Sequence, residues 1–382
     1  MSSLIHIIKR DPINTYLRDL INNYASAYAP EQFQRPEAWS KSDMKLYFNS
    51  VLMNRLEGNF VFVDLCLALK KIKEIDITDR AYCFFESLHQ QGINYIILDG
   101  NNRFKFLTKL LSDEWQIPRG TYQYILDDHV TSFVVGSHNN VFSKLPEVVK
   151  RIIEKRILVV SEYTQINYDG LSEVFTNVNC GVPLNNQEKR NALNSPWADY
   201  VRSLRKEIAP LLILLFGEEY KRRLKGDEWI VEALDYAINV KDFDESDPSY
   251  KPPGVSQSTK NSLYNSDIDD VNTEMYKENF LQLSEYISFM HTDEDVKYDE
   301  KVLNRSSLAI NLFWMICNGI STYEQVVEAL TLHEKVYTDY TKVNDSGNNY
   351  VWACGGTGAK NNEFRIKVLS DIVKKLKSSV AA

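Results

Sequence analysis

The stretch NYIILDGNNRFKFLTKLL, Asn94 to Leu111, changes period in its middle. Its first part reads as a buried strand, Asn94 to Leu98, that runs into a tight Asp99-Gly100 turn. Its second part reads as an amphipathic helix with Phe104, Leu107, Leu110 and Leu111 on one face. The first-turn amides of such a helix have no partner within it and the helix dipole is positive there, so the turn attracts anions. Arg103 adds a permanent charge in the same turn. The reading is a phosphate site with an acid beside it: Asp99 could hold a divalent cation or accept a proton from an attacking hydroxyl or water. The same residues also read as an ordinary turn that starts a helix, with Arg103 in a surface ion pair and no ligand.

Two further stretches bear on this choice. In EQFQRPEAWSKSDMKLYFNSVLMN, Gln34-Arg35-Pro36 and Trp39 precede a helix that starts near Ser40, with Met44, Tyr47, Phe48, Val51 and Leu52 as its apolar stripe. Ser40 and Asp43 have the spacing of a helix N-cap. Pro36 stiffens the approach, so Arg35 is presented on a rigid segment, while Trp39 is either a pin beside the site or simply a helix anchor. In LSEVFTNVNCGVPLNNQEKRNAL, Leu171 to Leu193, a helix ends near Asn177 to Asn179, turns through Gly181 and Pro183, and restarts at Asn185 to Glu188. Those asparagines serve as turn residues or, with Gln187 and Arg190, as donors to a base or phosphate.

Taken together, QRPEAW from Gln34, DGNNR from Asp99 and FTNVNCGVPLNNQEKRNAL from Phe175 resemble, in order and spacing, the N-terminal domain of the GmrSD-type restriction proteins, a branch of the ParB/sulfiredoxin-like superfamily. The resemblance spans roughly residues 25 to 240. It implies an α+β fold: a ParB/sulfiredoxin-like mixed-sheet domain followed by a mainly helical region. It also implies a nucleotide-phosphate site. Arg35, Asp99, Asn102 and Arg103 match the motif, and Asn179 and Arg190 match it more loosely. Asn101-Asn102 stands where the family has Gln-Gln, which keeps the amides but shortens each side chain by one methylene. The implied catalytic set is Asp99, Arg103 and Arg35, with Asp99 also the metal ligand. The implied nucleotide contacts are Gln34, Gly100, Asn101, Asn102, Asn179 and Arg190. The cofactors are then an NTP (ATP, GTP or CTP) and Mg2+.

Composition sets the frame. With 382 residues, 44% hydrophobic and 25% charged, the chain has room for two or three domains around substantial cores. Sequence patterning divides it at 1–165, mixed in period; 166–240, a helical extension completing the site; 241–272, a Pro-, Ser- and Asp-rich linker or long loop; and 273–382, a helical C-terminal domain. Five widely spaced cysteines without a CxxC suggest neither a disulfide framework nor a zinc site. The short apolar start is unlike a signal peptide and no long apolar run follows, so the expectation is a cytoplasmic protein of a bacterial or phage-infected cell, with no membrane partner.

A net charge of −8 means that any DNA contact must be concentrated. The richest basic run holds Lys221, Arg222 and Arg223, with Arg202, Arg205, Lys206 and Lys225 nearby. The six histidines have no HNH-like setting. The Gly-rich GGTG, residues 355–358, lacks the Lys-Ser/Thr end of a phosphate loop. The functional expectation is an NTP-dependent enzyme, by hydrolysis or phosphoryl transfer, in DNA modification or restriction, one form being a kinase of a hydroxymethylated DNA base. The alternatives are a nucleotide-switched module that binds DNA or a protein without turnover, and a metal-dependent DNA nuclease.

Overall fold

Phe60 to Val63 are all buried, as a strand covered on both faces requires. In the computed structural model this strand and its neighbours form a mixed sheet within the first of two compact units, Met1–Leu184 and Asn185–Ala382. The structure describes residues 7–34, 39–56, 58–75, 77–127, 129–178, 184–240, 256–293, 305–339, 354 and 359–380. The fold is α+β.

The first unit contributes strands β1 (Ile8–Lys9), β2 (Ile13–Tyr16), β3 (Ala27–Tyr28), β4 (Phe60–Asp64) and β5 (Tyr95–Asp99). A hairpin follows, β6 (Gly120–Leu126) and β7 (His129–Val135), and then β8 (Ile157–Gln165). The sheet runs β1-β8-β4-β5-β3, with β2 also on β8 and the hairpin separate. β4 is parallel to β8 and antiparallel to β5. The helices here are α1 (Leu17–Asn23), α2 (Lys41–Leu52), α3 (Leu65–Ile75), α4 (Arg80–Gln90), α5 (Asn101–Leu111), α6 (Glu147–Glu154) and α7 (Tyr168–Val178). One core joins Phe60, Phe62 and Ile97 of the sheet to Phe104, Leu107 and Leu110 of α5 and to Phe48 and Val51 of α2.

The period change at Asp99 is therefore real: strand β5 buries Ile96, Ile97 and Leu98, and α5 starts two residues later. The Ser40–Asp43 start is also present as a capping box. The apolar run FVFVDLCLAL, Phe60 to Leu69, reads as β-rich from its sequence but is strand only as far as Asp64. From Leu65 it is helix α3, because Leu65, Ala68 and Ile72 fall on one helical face and the Asp64 carboxylate accepts the Leu67 amide at 3.0 Å.

The second unit is helical where described: α8 (Asn186–Asn191), α9 (Pro196–Glu207), α10 (Ala209–Phe216), α11 (Lys225–Asn239), α12 (Gln257–Tyr264), α13 (Asp270–Thr292), α14 (Ser306–Cys317), α15 (Tyr323–Tyr337) and α16 (Ala359–Val380). The segment expected as a linker, 241–272, contains helix α12, whose Leu263 and Tyr264 are buried; its residues 241–255 lie outside the described ones. Residues expected as a separate extension, 166–240, are shared between the units, and those from Trp197 onward join the same core as Phe280, Phe313 and Leu369. No described helix is long and apolar enough to cross a membrane.

Candidate functional site

Gly100 makes the turn from β5 into α5 possible. Its φ is +91°, in the left-handed region, and a Cβ there would lie 2.7 Å from a ring carbon of Phe60. As the N-cap of α5 it brings no side chain to accept a first-turn amide. The first-turn amides of Asn101 and Asn102, and both their side chains, have no hydrogen-bond partner among the described residues. Four polar groups are thus left available at a helix N-terminus.

Arg103 turns back over this start. Its Nη2 donates to the Asn59 carbonyl at 2.8 Å and to Asp99 Oδ2 at 3.0 Å, and its guanidinium lies 4.8 Å from the centre of the Phe60 ring. Gly58, φ +84°, leaves room for it: a Cβ there would come within 2.8 Å of Arg103 Nη1. The ion pair expected from the simpler reading is therefore present, together with the open amides expected from the phosphate reading.

A cavity of about 170 Å³ opens at this turn, lined by Gln34, Trp39, Asp99, Gly100, Asn101 and Asn102 over Phe33 and Phe175. Gln34 Nε2 donates to the Ile97 carbonyl at 3.0 Å, which fixes Gln34 against the strand. Trp39 is half-buried, with its ring 5.1 Å from Tyr47 and 6.2 Å from Phe106. Burial pushes the Tyr47 hydroxyl up to about 12, against the opposing pull of Arg103, so it stays neutral beside the site.

The structure brings Gln34, Asp99, Gly100, Asn101, Asn102 and Arg103 together. Arg35 and Asn179 lie outside the described residues. Arg190 is in the second unit, 2% exposed, and committed there. It donates to Gln187 and Gln257, each at 2.8 Å, to Asn261 at 3.1 Å, and to Glu228. Gln187 lies on its own helix α8, Glu228 on α11, and Gln257 and Asn261 on α12, so it ties three helices together.

The expected DNA-binding run is likewise occupied. Lys221 pairs with Glu218 at 2.8 Å, Arg222 with Glu219 at 3.3 Å and Arg223 with Glu188 at 2.9 Å. Arg205 pairs with the fully buried Asp227 at 3.1 Å, and Arg202 binds Asp199 and the Asn191 carbonyl. Burial pushes the Asp227 carboxyl up to about 6 even though Arg205 opposes it. Each of these five positive charges has a carboxylate partner, so they make no bare basic face.

Sequence reasoning missed Phe33 beneath the cavity and the Gly58–Asn59–Phe60 wall around Arg103. Only Gly58, next to a strand, carries a local signal, as a glycine that admits a close neighbour. Among the described residues no three His, Cys, Asp or Glu side chains come together as a metal-binding group. Comparison of the chain with protein-family models, with curated proteins and with solved structures finds no match.

Proposed function

We propose that the start of α5 is a nucleotide-phosphate site, and that the chain is an NTP-dependent enzyme that hydrolyses NTP or transfers its phosphoryl group in DNA modification or restriction. The observation that carries this reading is the open first turn of α5, with a carboxylate next to it and a cavity in front of it. The order of the QRPEAW, DGNNR and FTNVNCGVPL motifs supports placing the first unit in the ParB/sulfiredoxin-like superfamily, near the GmrSD-type proteins. Phosphoryl transfer to a hydroxymethylated DNA base is one concrete form.

In this reading the amides of Asn101 and Asn102 and the Asn102 side chain donate to phosphate oxygens. Arg103 supplies positive charge at the same end of the helix, and Asp99 accepts the proton of the attacking hydroxyl or water. Trp39 offers an aromatic wall for the base. Arg35, from the motif, is the second phosphate clamp. Mg2+ fits this donor set only together with the nucleotide: Asp99 would be its protein ligand, and phosphate oxygens and water would supply the rest. When bound it neutralises charge on the phosphates.

One observation favours a second reading. Asp99 is already paired with Arg103 at 3.0 Å, an arrangement that suits a nucleotide held as a switch ligand without turnover. Phosphate release from ATP, GTP and CTP with Mg2+, with and without DNA, separates the two. Asp99→Asn is nearly isosteric, so it should lower release about 100-fold or more while nucleotide still binds. Binding without release by the unaltered protein supports the switch. Absence of both returns the turn to a helix start with an ion pair.

A further inference from the structure

We infer that the cavity at α5 is the middle of a longer track that takes a single strand of DNA. The proposal rests on the phosphate reading above and names the substrate class of that site. Three cavities follow one another and share walls. The central one meets a second, lined by Trp39, Met44, Asn102, Lys105, Phe106 and Lys109, through their common Trp39 and Asn102. It meets a third, of about 530 Å³, lined by Tyr47, Ser50, Arg55, Gly58 and Arg103, through their common Arg103.

Charge is distributed along this line in a particular way. The side chains of Lys105, Lys109 and Arg55 are exposed and have no ion-pair or hydrogen-bond partner among the described residues, unlike Lys221, Arg222 and Arg223. Asn102, Lys105 and Lys109 are spaced three and four residues apart, so they follow one face of α5. At 1.5 Å of rise per residue they cover roughly 10 Å along the helix axis, and Arg55 lines the third cavity together with Arg103. The phosphates of one nucleotide can fill the start of α5, but they leave cations at both ends unanswered. The phosphodiesters of a strand that runs past the nucleotide answer the cations on either side of it.

The occupant is single-stranded because of Trp39. Its half-buried ring forms a wall between two cavities, and a base stacks on such a ring only when it is free of its own pairing partner. An acidic protein gains such a grip only where cations are gathered locally, as Lys105, Lys109 and Arg55 are around these cavities.

The experiment uses the full chain and a labelled oligothymidine, its duplex with oligoadenosine, and ATP, GTP and CTP, all measured on the same preparations at two salt concentrations. The single strand should bind more tightly than the duplex. Lys105→Ala/Lys109→Ala, with a melting temperature equal to that of the unaltered protein, should bind the strand about tenfold more weakly. Its slope of log affinity against log salt should fall by about 1.4, at about 0.7 per lost contact, with ATP affinity unchanged. Trp39→Leu should weaken strand binding and leave the salt slope as it was, because stacking releases no counterions. Equal binding by the lysine variant, or a duplex bound as tightly as the strand, overturns the track. Binding of ATP, GTP or CTP without strand binding removes the track and keeps the phosphate reading, whereas strand binding with none of the three bound removes the nucleotide reading.

Discussion

Helices α5 and α8 both begin on asparagines, but the two starts are built in opposite ways. At α5 the cap is Gly100, the amides of Asn101 and Asn102 are open, and the arginine of the first turn is only partly buried. At α8 the cap is Asn185, whose side chain accepts the Glu188 amide at 2.7 Å while the Glu188 carboxylate accepts the Asn185 amide at 2.7 Å. Arg190 beyond it is buried and hydrogen-bonded to Gln187, Gln257 and Asn261. The same residue types therefore close one helix into a core and leave the other unfinished. Hydrogen-bonding capacity left over at a helix start is what a ligand can use, and only the cap decides whether any is left.

The largest expected effect tests the closed side. Arg190→Ala strips Glu228, Gln187, Gln257 and Asn261 of a buried partner and should cost about 3 kcal/mol in a denaturant melt. A loss below about 1 kcal/mol would mean that the network is no more than a surface pair. Next comes the hinge of the open side. Gly100→Ala puts a Cβ into the Phe60 ring at a left-handed φ, so it should cost about 2 kcal/mol and abolish nucleotide binding together. Binding that survives would detach the ligand from the start of α5.

The third test exchanges the two asparagines. Asn185→Ala should cost about 1 kcal/mol and leave nucleotide affinity alone. Asn102→Ala should change stability by less than about 0.5 kcal/mol and weaken nucleotide binding severalfold. Equal stability costs at the two positions would erase the distinction.

The smallest effect concerns another closed network in the second unit. His333 is 1% exposed; its Nε2 lies 2.9 Å from Asn311 Nδ2, and its Nδ1 lies 3.3 Å from Glu334. Asn311 Oδ1 accepts from Arg365, so the Asn311 amide donates to His333, which must be neutral to receive it. Burial holds the His333 pKa below its ordinary value, an effect the adjacent Glu334 opposes; Arg305 and Arg365 lower it further. A folded pKa below the unfolded value of 6.5 gives stability that is present above that value and is lost as pH falls through the folded pKa. Melting temperature should therefore decline on acidification below neutrality, and less steeply in His333→Gln. Equal declines would place the titration elsewhere.

The sequence made these regions unequally legible. Strand β5 and helices α2 and α5 could be read because period, turn and cap all agree within a few residues. Helix α3 was hidden because Leu-Cys-Leu-Ala-Leu satisfies a strand pattern as well as a helical one. Helix α12 was hidden inside a Pro- and Ser-rich composition, and its helical state depends on burying Leu263 and Tyr264. Of the basic run, Lys221 and Arg222 pair with Glu218 and Glu219 three residues earlier, a neutralisation visible in the sequence itself. The partners of Arg190, Arg205 and Arg223 come from distant parts of the chain, and no local rule brings Glu228, Asp227 or Glu188 to them.

Arg103 also fastens one strand to another. Its Nη2 joins the Asn59 carbonyl, just before β4, to the Asp99 carboxylate at the end of β5. An anion that recruits Nη2 itself must take it from one of those two acceptors, and the fastening is then released as the ligand arrives. Binding should therefore be slower than diffusion allows. It should also register first as faster amide deuterium uptake in residues 54–59, while the amides of Ile96 to Leu98 exchange as slowly as before.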